Sequence, residues 1–116
     1  MTIYGVSQSS GVERRLAIEL GGEGVVLTIT DHVGEKERER ILVQANDLLD
    51  AVTEPLVSGS SVNGISPPHG VAMLLEIVVH RNEVLLRMHT GSGPGTDVAV
   101  GLDDFQDGLE RVINRA

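Results

Sequence analysis

Leu16-Ala17-Ile18-Glu19-Leu20-Gly21-Gly22-Glu23-Gly24-Val25-Val26-Leu27-Thr28-Ile29 contains two alternating runs around a glycine-rich turn. Leu16, Ile18 and Leu20 share one face, with Ala17 and Glu19 between them, which is the two-residue period of a strand. After the turn, Val25, Leu27, Ile29 and Val33 keep one phase while Thr28, Thr30 and His32 take the other. The pair reads as a β-hairpin. The charge run Glu35–Arg40 reads as a solvated loop, and Ile41-Leu42-Val43 as a third strand. Asn46 is a candidate N-cap for a helix with Leu48, Leu49, Val52 and Leu56 at helical spacing, and Pro55 stops it or kinks its last turn.

The same order then recurs. Ser58–Gly70 is rich in Ser, Gly, Pro and Asn and reads as a linker. Val71–His80 is a strand with a long apolar run, Arg81-Asn82 a compact turn, Glu83–Thr90 the return strand, and Gly91–Gly95 a loop. Val98–Leu102 is a third strand. Asp103 caps a second helix, with Gln106 in the capping-box position and Phe105, Leu109, Val112 and Ile113 as its apolar stripe. Ile18 aligns with Ile77, Val25 with Val84 and Leu27 with Leu86, all 59 positions apart. Beyond the charged loop the spacing is 57: Val43 aligns with Val100, Asp47 with Asp104 and Asp50 with Asp107. The change falls where a loop can shorten at small cost. The sequence therefore predicts an α+β fold, a tandem βββα-βββα repeat with antiparallel sheets and two helices about a pseudo-twofold. Residues 1–116 are expected to form one domain, with repeat 1 at about 14–57, a linker at 58–70 and repeat 2 at about 71–116. One small helix cannot cover a three-stranded sheet alone, so the two units are expected to share a core.

Composition narrows the function classes. The chain of 116 residues has no cysteine, which excludes disulfides, thiol catalysis and thiolate metal sites and fits the cytoplasm. No apolar run reaches the length of a transmembrane helix, and residues 1–11 carry neither a basic start nor an apolar signal core. Net charge is −8, with ten acidic and five basic residues before position 58 and seven and four after it. That field favours cationic or neutral partners. Tyr4 and Phe105 are the sole aromatic residues, which leaves little for stacking nucleic-acid bases.

The stretch Val98-Ala99-Val100-Gly101-Leu102-Asp103-Asp104-Phe105-Gln106-Asp107-Gly108-Leu109 resembles the last strand and acidic helix start of the Whirly and purine-rich-element-binding families. Ile41–Val52 repeats the pattern more weakly. The resemblance covers about a dozen residues as motif and most of residues 14–115 as architecture. It implies a duplicated strand-meander-plus-helix fold that binds single-stranded nucleic acid. The chain departs from the family in showing three strands per unit rather than four, although Thr2–Val6 offers one more. It also lacks the family's basic and aromatic face.

Candidate binding residues lie on the sheet face turned away from the core: Thr28 and Thr30 in the first copy, aligned with Arg87 and His89 in the second, with Arg81 in the adjoining turn. Arg87 and His89 would contact anions. The bland reading of that face is an ordinary solvated sheet surface. The four histidines lack metal-ligand spacing, and Gly91–Gly95 leads into a strand rather than the helix a phosphate loop needs. Asp47 with Asp50, and Asp104 with Asp107, sit at helix starts, where carboxylates stabilise the positive end of the dipole. No catalytic group, metal or cofactor is expected. The expectation is a non-enzymatic binding module. One form takes single-stranded nucleic acid as a Whirly-like protein would; the other is an acidic inhibitor or adaptor for a basic protein partner. Unpaired sheet edges also suggest a homodimer.

Overall fold

The computed structural model describes residues 1–22, 24–53, 60–67, 70–90 and 95–114. Among these residues eight strands run β1 (Thr2–Val6), β2 (Glu13–Gly21), β3 (Gly24–Asp31), β4 (Glu37–Val43), β5 (Ser60–Ser66), β6 (Val71–His80), β7 (Glu83–His89) and β8 (Thr96–Gly101). Helix α1 (Ala45–Thr53) follows β4, and α2 (Leu102–Asn114) follows β8. The strands are antiparallel and neighbour one another in chain order, and β1 meets β8 to close a barrel. This corrects the expected βββα-βββα arrangement with open sheets: the molecule is mostly sheet, wrapped into one closed eight-stranded barrel with two short helices.

The correction has a local cause. Each half carries a fourth strand: β1, the extra strand that Thr2–Val6 offers, and β5, which lies within the expected linker. In β1 only Ile3 is buried, and in β5, Ser60-Ser61-Val62-Asn63-Gly64-Ile65-Ser66, only Val62 is. A single inward apolar residue gives no visible period, so composition made β5 look like linker. The four-stranded halves then close on each other and need no second layer. The charge run also differs from expectation: Glu37–Arg40 is the polar beginning of β4.

An internal twofold runs through the hydrogen-bond register. Ile18 pairs with Leu27 and, 59 residues later, Ile77 with Leu86; Val25 pairs with Val43, and Val84 with Val100. The two joints between halves match as well, Val6 opposite Ala99 and Ile65 opposite Leu42. Both joints need a glycine. A side chain on Gly5 would run into the Ala99 carbonyl, and one on Gly64 would come within 2.6 Å of the Leu42 carbonyl.

Inward-pointing Leu16, Ile18, Leu27, Ile29, Ile41, Leu75, Ile77, Leu86 and Met88 are fully buried. Each such side chain contributes about 1.5–3 kcal/mol relative to exposure. Because β4 and β8 run in the same direction, α1 and α2 leave from the same end of the barrel, where Leu48, Phe105 and Leu109 bury completely. Gly108 lets α2 approach the barrel wall: a Cβ there would lie 3.2 Å from Ile18 Cδ1. Helix starts shift slightly from expectation. Gln44 precedes α1 and its carbonyl accepts from the Leu48 N–H at 3.1 Å, so Asn46 is inside the helix. Asp103 likewise lies inside α2. Gln106, expected in a capping box, donates from Nε2 to the Val52 carbonyl at 3.1 Å and so ties α2 to the last turn of α1. Pro55 lies outside the described residues. Among the described residues, no helix is long and apolar enough to cross a membrane.

Candidate functional site

The barrel end away from the helices holds a buried ionic network. Arg14 begins β2 in the inward phase, so its side chain, 12 % exposed, lies at the rim instead of in solvent. Its Nε donates to Asp31 Oδ1 at 3.2 Å, and its Nη1 donates to the Asp97 carbonyl at 2.7 Å. Arg38 donates from Nε to Asp31 Oδ2 at 2.7 Å. Asp97 sits in the outward phase of β8, yet it is only 3 % exposed, because the chain after β1 covers it. The Ser7 and Ser9 hydroxyls each donate to its Oδ1 at 2.8 Å, and the Gln8 N–H donates to its Oδ2 at 2.8 Å.

The hydrogen bond from Arg38, opposed by burial and joined by the bond from Arg14, holds the Asp31 carboxyl below its ordinary value. For Asp97, burial is the largest single influence and pushes upward. The hydrogen bonds from Ser9, Ser7 and the Gln8 N–H together outweigh it, so the net shift is downward. Two guanidinium groups face two carboxylates, and each has its partners. The network contains no histidine to activate Ser7 or Ser9 and no carboxylate raised for proton transfer. Its chemistry is that of a latch.

The residues singled out from sequence fall in three places. Thr28 and Thr30 lie on β3, and Arg87 and His89 on β7, four strands away around an eight-stranded barrel and hence on the opposite side. Thr28 is buried between Ala17 and Arg40, and Thr30 lies opposite Arg15 and Glu37. Arg87 lies between Glu76 and Asp97 in the strand register, and His89 Nε2 meets Glu76 Oε1 at 2.8 Å. Arg81 occupies the β6–β7 turn at the helix end. An open sheet would have presented the two copies side by side; closure turns their outer faces away from each other.

Tyr4 is the residue that sequence reasoning missed as a surface group: Thr2–Val6 offers an extra strand, but nothing in its pattern shows which face Tyr4 takes. It is 65 % exposed and meets the His32 ring edge-on, with centroids 5.5 Å apart. The two rings, with Gly5, Val6, Glu13 and Arg14, line a groove of about 290 Å³. Arg15 pairs in register between Tyr4 and Thr30, so β1–β3 present a ring, a guanidinium and a hydroxyl in one row.

Two further grooves lie at the helix end and are related by the internal twofold. One, about 410 Å³, is formed by Asp47, Asp50 and Ala51 of α1 against Ser60–Asn63 of β5. The other, about 390 Å³, is formed by Asp104, Asp107 and Arg111 of α2 against Met1–Tyr4. The aligned aspartates of the two copies thus occupy equivalent positions beside equivalent strands. Among the described residues, no cluster of His, Asp and Glu is arranged to hold a metal ion. No known family, curated protein or solved structure matches this chain. Its function must be read from the chemistry of these surfaces.

Proposed function

We propose that the chain is a non-enzymatic protein-interaction module that receives a basic partner surface at its helix end. The observation that carries this reading is the uneven distribution of charge. Helices α1 and α2 present Asp47, Asp50, Asp103, Asp104, Asp107 and Glu110 against Arg111, and the other cations described at this end are Arg81 of the β6–β7 turn and the Met1 ammonium. At the other end the arginines are matched by neighbouring acids: Arg14 and Arg38 by Asp31, Arg15 by Glu35, and Arg40 by Glu37, and Lys36 lies between Glu35 and Glu37 in the chain. The field outside the helix end is therefore negative, and it steers and orients a positive partner.

Oligolysine titrated by calorimetry at low salt is the direct test. The native chain should bind, and salt should weaken the complex. Asp47→Asn, Asp50→Asn, Asp104→Asn and Asp107→Asn combined should weaken it at least tenfold. Equal affinity of the quadruple variant, with its fold checked by circular dichroism, would remove the proposal.

A second reading has one specific observation in its favour. The exposed Tyr4 ring, His32 and Arg15 supply stacking and phosphate contacts on the outer face of β1–β3, as single-strand binding requires. It also fits the Whirly-like resemblance. Filter binding of a single-stranded oligonucleotide at low salt, lost in Tyr4→Ala, supports this reading; binding indifferent to Tyr4→Ala removes it.

A further inference from the structure

We infer that the partner is taken up as an additional strand: an extended, lysine- or arginine-bearing peptide pairs with the free edge of β5, alongside Ser60–Asn63. This rests on the reading of the helix end as the surface for a basic partner.

The sheet register supplies the first support. One edge of β5 pairs with β6 along its whole length, from Ser60 opposite Ile77 to Ser66 opposite Val71. Its other edge pairs with β4 only at Gly64 and Ile65. The cause is that β4 ends at Val43 and the chain turns into α1, so the ladder stops while β5 continues. Among the described residues, Ser60–Asn63 therefore have no strand partner on that side. An unpaired edge is a template for another strand unless something blunts it. The segment is Ser-Ser-Val-Asn, with no lysine, proline or bulge, and α1 flanks it across a groove.

The groove supplies the second. Asp47 and Asp50 line it from α1, facing Ser60–Asn63 across about 410 Å³. Four extended residues span about 13 Å, and alternate side chains on one face stand about 7 Å apart. Carboxylates three apart on a helix are about 5–6 Å apart at Cβ, so they can receive two such side chains from one peptide. Main-chain pairing would give affinity and the aspartates would select lysine or arginine at alternate positions, which is the division of labour in strand addition.

The twofold-related groove beside β1 has the same free edge, since β1 pairs with β8 only at Val6. It is not equivalent toward a cation, because Arg111 lines it next to Asp104 and Asp107. The β5 edge is accordingly the seat.

The test uses a fluorescein-labelled heptapeptide of alternating lysine and valine, read by anisotropy against the full chain. Two matched peptides, N-methylated at one or the other set of alternate residues, keep the charge, and the one whose methyl groups face β5 cannot complete the ladder. Asp47→Asn/Asp50→Asn is expected to lower affinity for the parent peptide about tenfold, and Asp104→Asn/Asp107→Asn less than twofold. The better-placed of the two N-methylation registers is expected to cost at least tenfold with the native chain, a comparison that does not depend on any variant folding. Equal binding of parent and both N-methylated peptides would overturn strand addition while leaving the basic-partner reading intact. Greater loss in the α2 variant would overturn the choice of β5. Failure of all three peptides together with oligolysine would remove both readings. A dimer of the free chain that Asp47→Asn/Asp50→Asn dissociates would assign the edge to a second copy instead and overturn the proposal.

Discussion

Arg14 Nη1 lies 2.7 Å from the main-chain oxygen of Asp97, a residue 83 positions further along the chain. That contact joins β2 of the first half to β8 of the second across the β1–β8 joint, where the ladder itself contributes only Val6 opposite Ala99. The joint is closed above this pair by side chains: Asp97 accepts from Ser7, Gln8 and Ser9, and Arg14 extends the connection to Asp31 on β3. A strand pair with little backbone pairing is thus held by one buried carboxylate.

Asp97→Ala should therefore destabilise the barrel far more than a surface substitution. It leaves two hydroxyls and the Gln8 N–H without their acceptor and takes one carboxylate from Arg14. Removing one member of such a network costs about 3 kcal/mol. Urea unfolding of Asp97→Ala and Asp97→Asn, compared with exposed Asp107→Ala, measures it. The asparagine should recover part of the loss, since its amide oxygen still accepts from the serines. A cost below about 1 kcal/mol for Asp97→Ala would mean the joint is held elsewhere.

The hairpins and their inward residues were legible in the sequence because Leu16, Ile18, Val25 and Leu27 alternate without interruption. The helices were legible from Leu48, Phe105 and Leu109. The closed topology was hidden. It depends on Gly5 and Gly64, whose role is the absence of a side chain at a close approach, and on β1 and β5, where one buried residue in each leaves no period. The latch was hidden for a related reason. Arg14 and Asp31 look like surface charges in a strand pattern, and only the extension of the inward phase to the barrel rim brings them together. Asp97 lies in the outward phase and is covered by the segment that follows β1, which no periodicity encodes. The twin acidic grooves were half visible: the aligned aspartates and the strand Thr2–Val6 were in the sequence, but β5, which faces α1, read as linker.

The carboxylates of the latch are expected to set the acid limit of stability. Asp31 is held low chiefly by Arg38, and Asp97 is held low by its hydrogen bonds against the opposing effect of burial. Both folded-state values lie below those of the unfolded chain. Their contribution is therefore fully present above the ordinary aspartate range, near pH 4, and is lost as pH falls below it through the folded values. Thermal unfolding should show a nearly flat melting temperature from pH 7 to about 5 from these groups and a steep fall below about 4. In Asp97→Asn the fall should be shallower, because one of the two groups no longer titrates. An unchanged slope in that variant would show that other carboxylates govern acid unfolding.

Gly22 and Arg81 occupy equivalent turns, 59 residues apart, and both have positive φ, 61° and 58°. The glycine adopts this conformation freely. The arginine does so at a cost of about 1–2 kcal/mol, because its Cβ crowds the carbonyl oxygen. Replacing it by glycine relieves the crowding but adds freedom to the unfolded chain, which returns roughly 0.4–1 kcal/mol. Arg81→Gly should thus stabilise by about 0.5 kcal/mol. Gly22→Ala should destabilise by about 1 kcal/mol through local backbone conformation, since beyond its chain neighbours a Cβ there would meet nothing within 4 Å. For a chain of this size 1 kcal/mol moves the melting temperature by about 4 °C, which calorimetry resolves. Opposite signs for the two substitutions are the signature of equivalent left-handed turns. A loss of stability in Arg81→Gly would instead mean that the arginine side chain makes contacts at the helix end worth more than the strain of its turn.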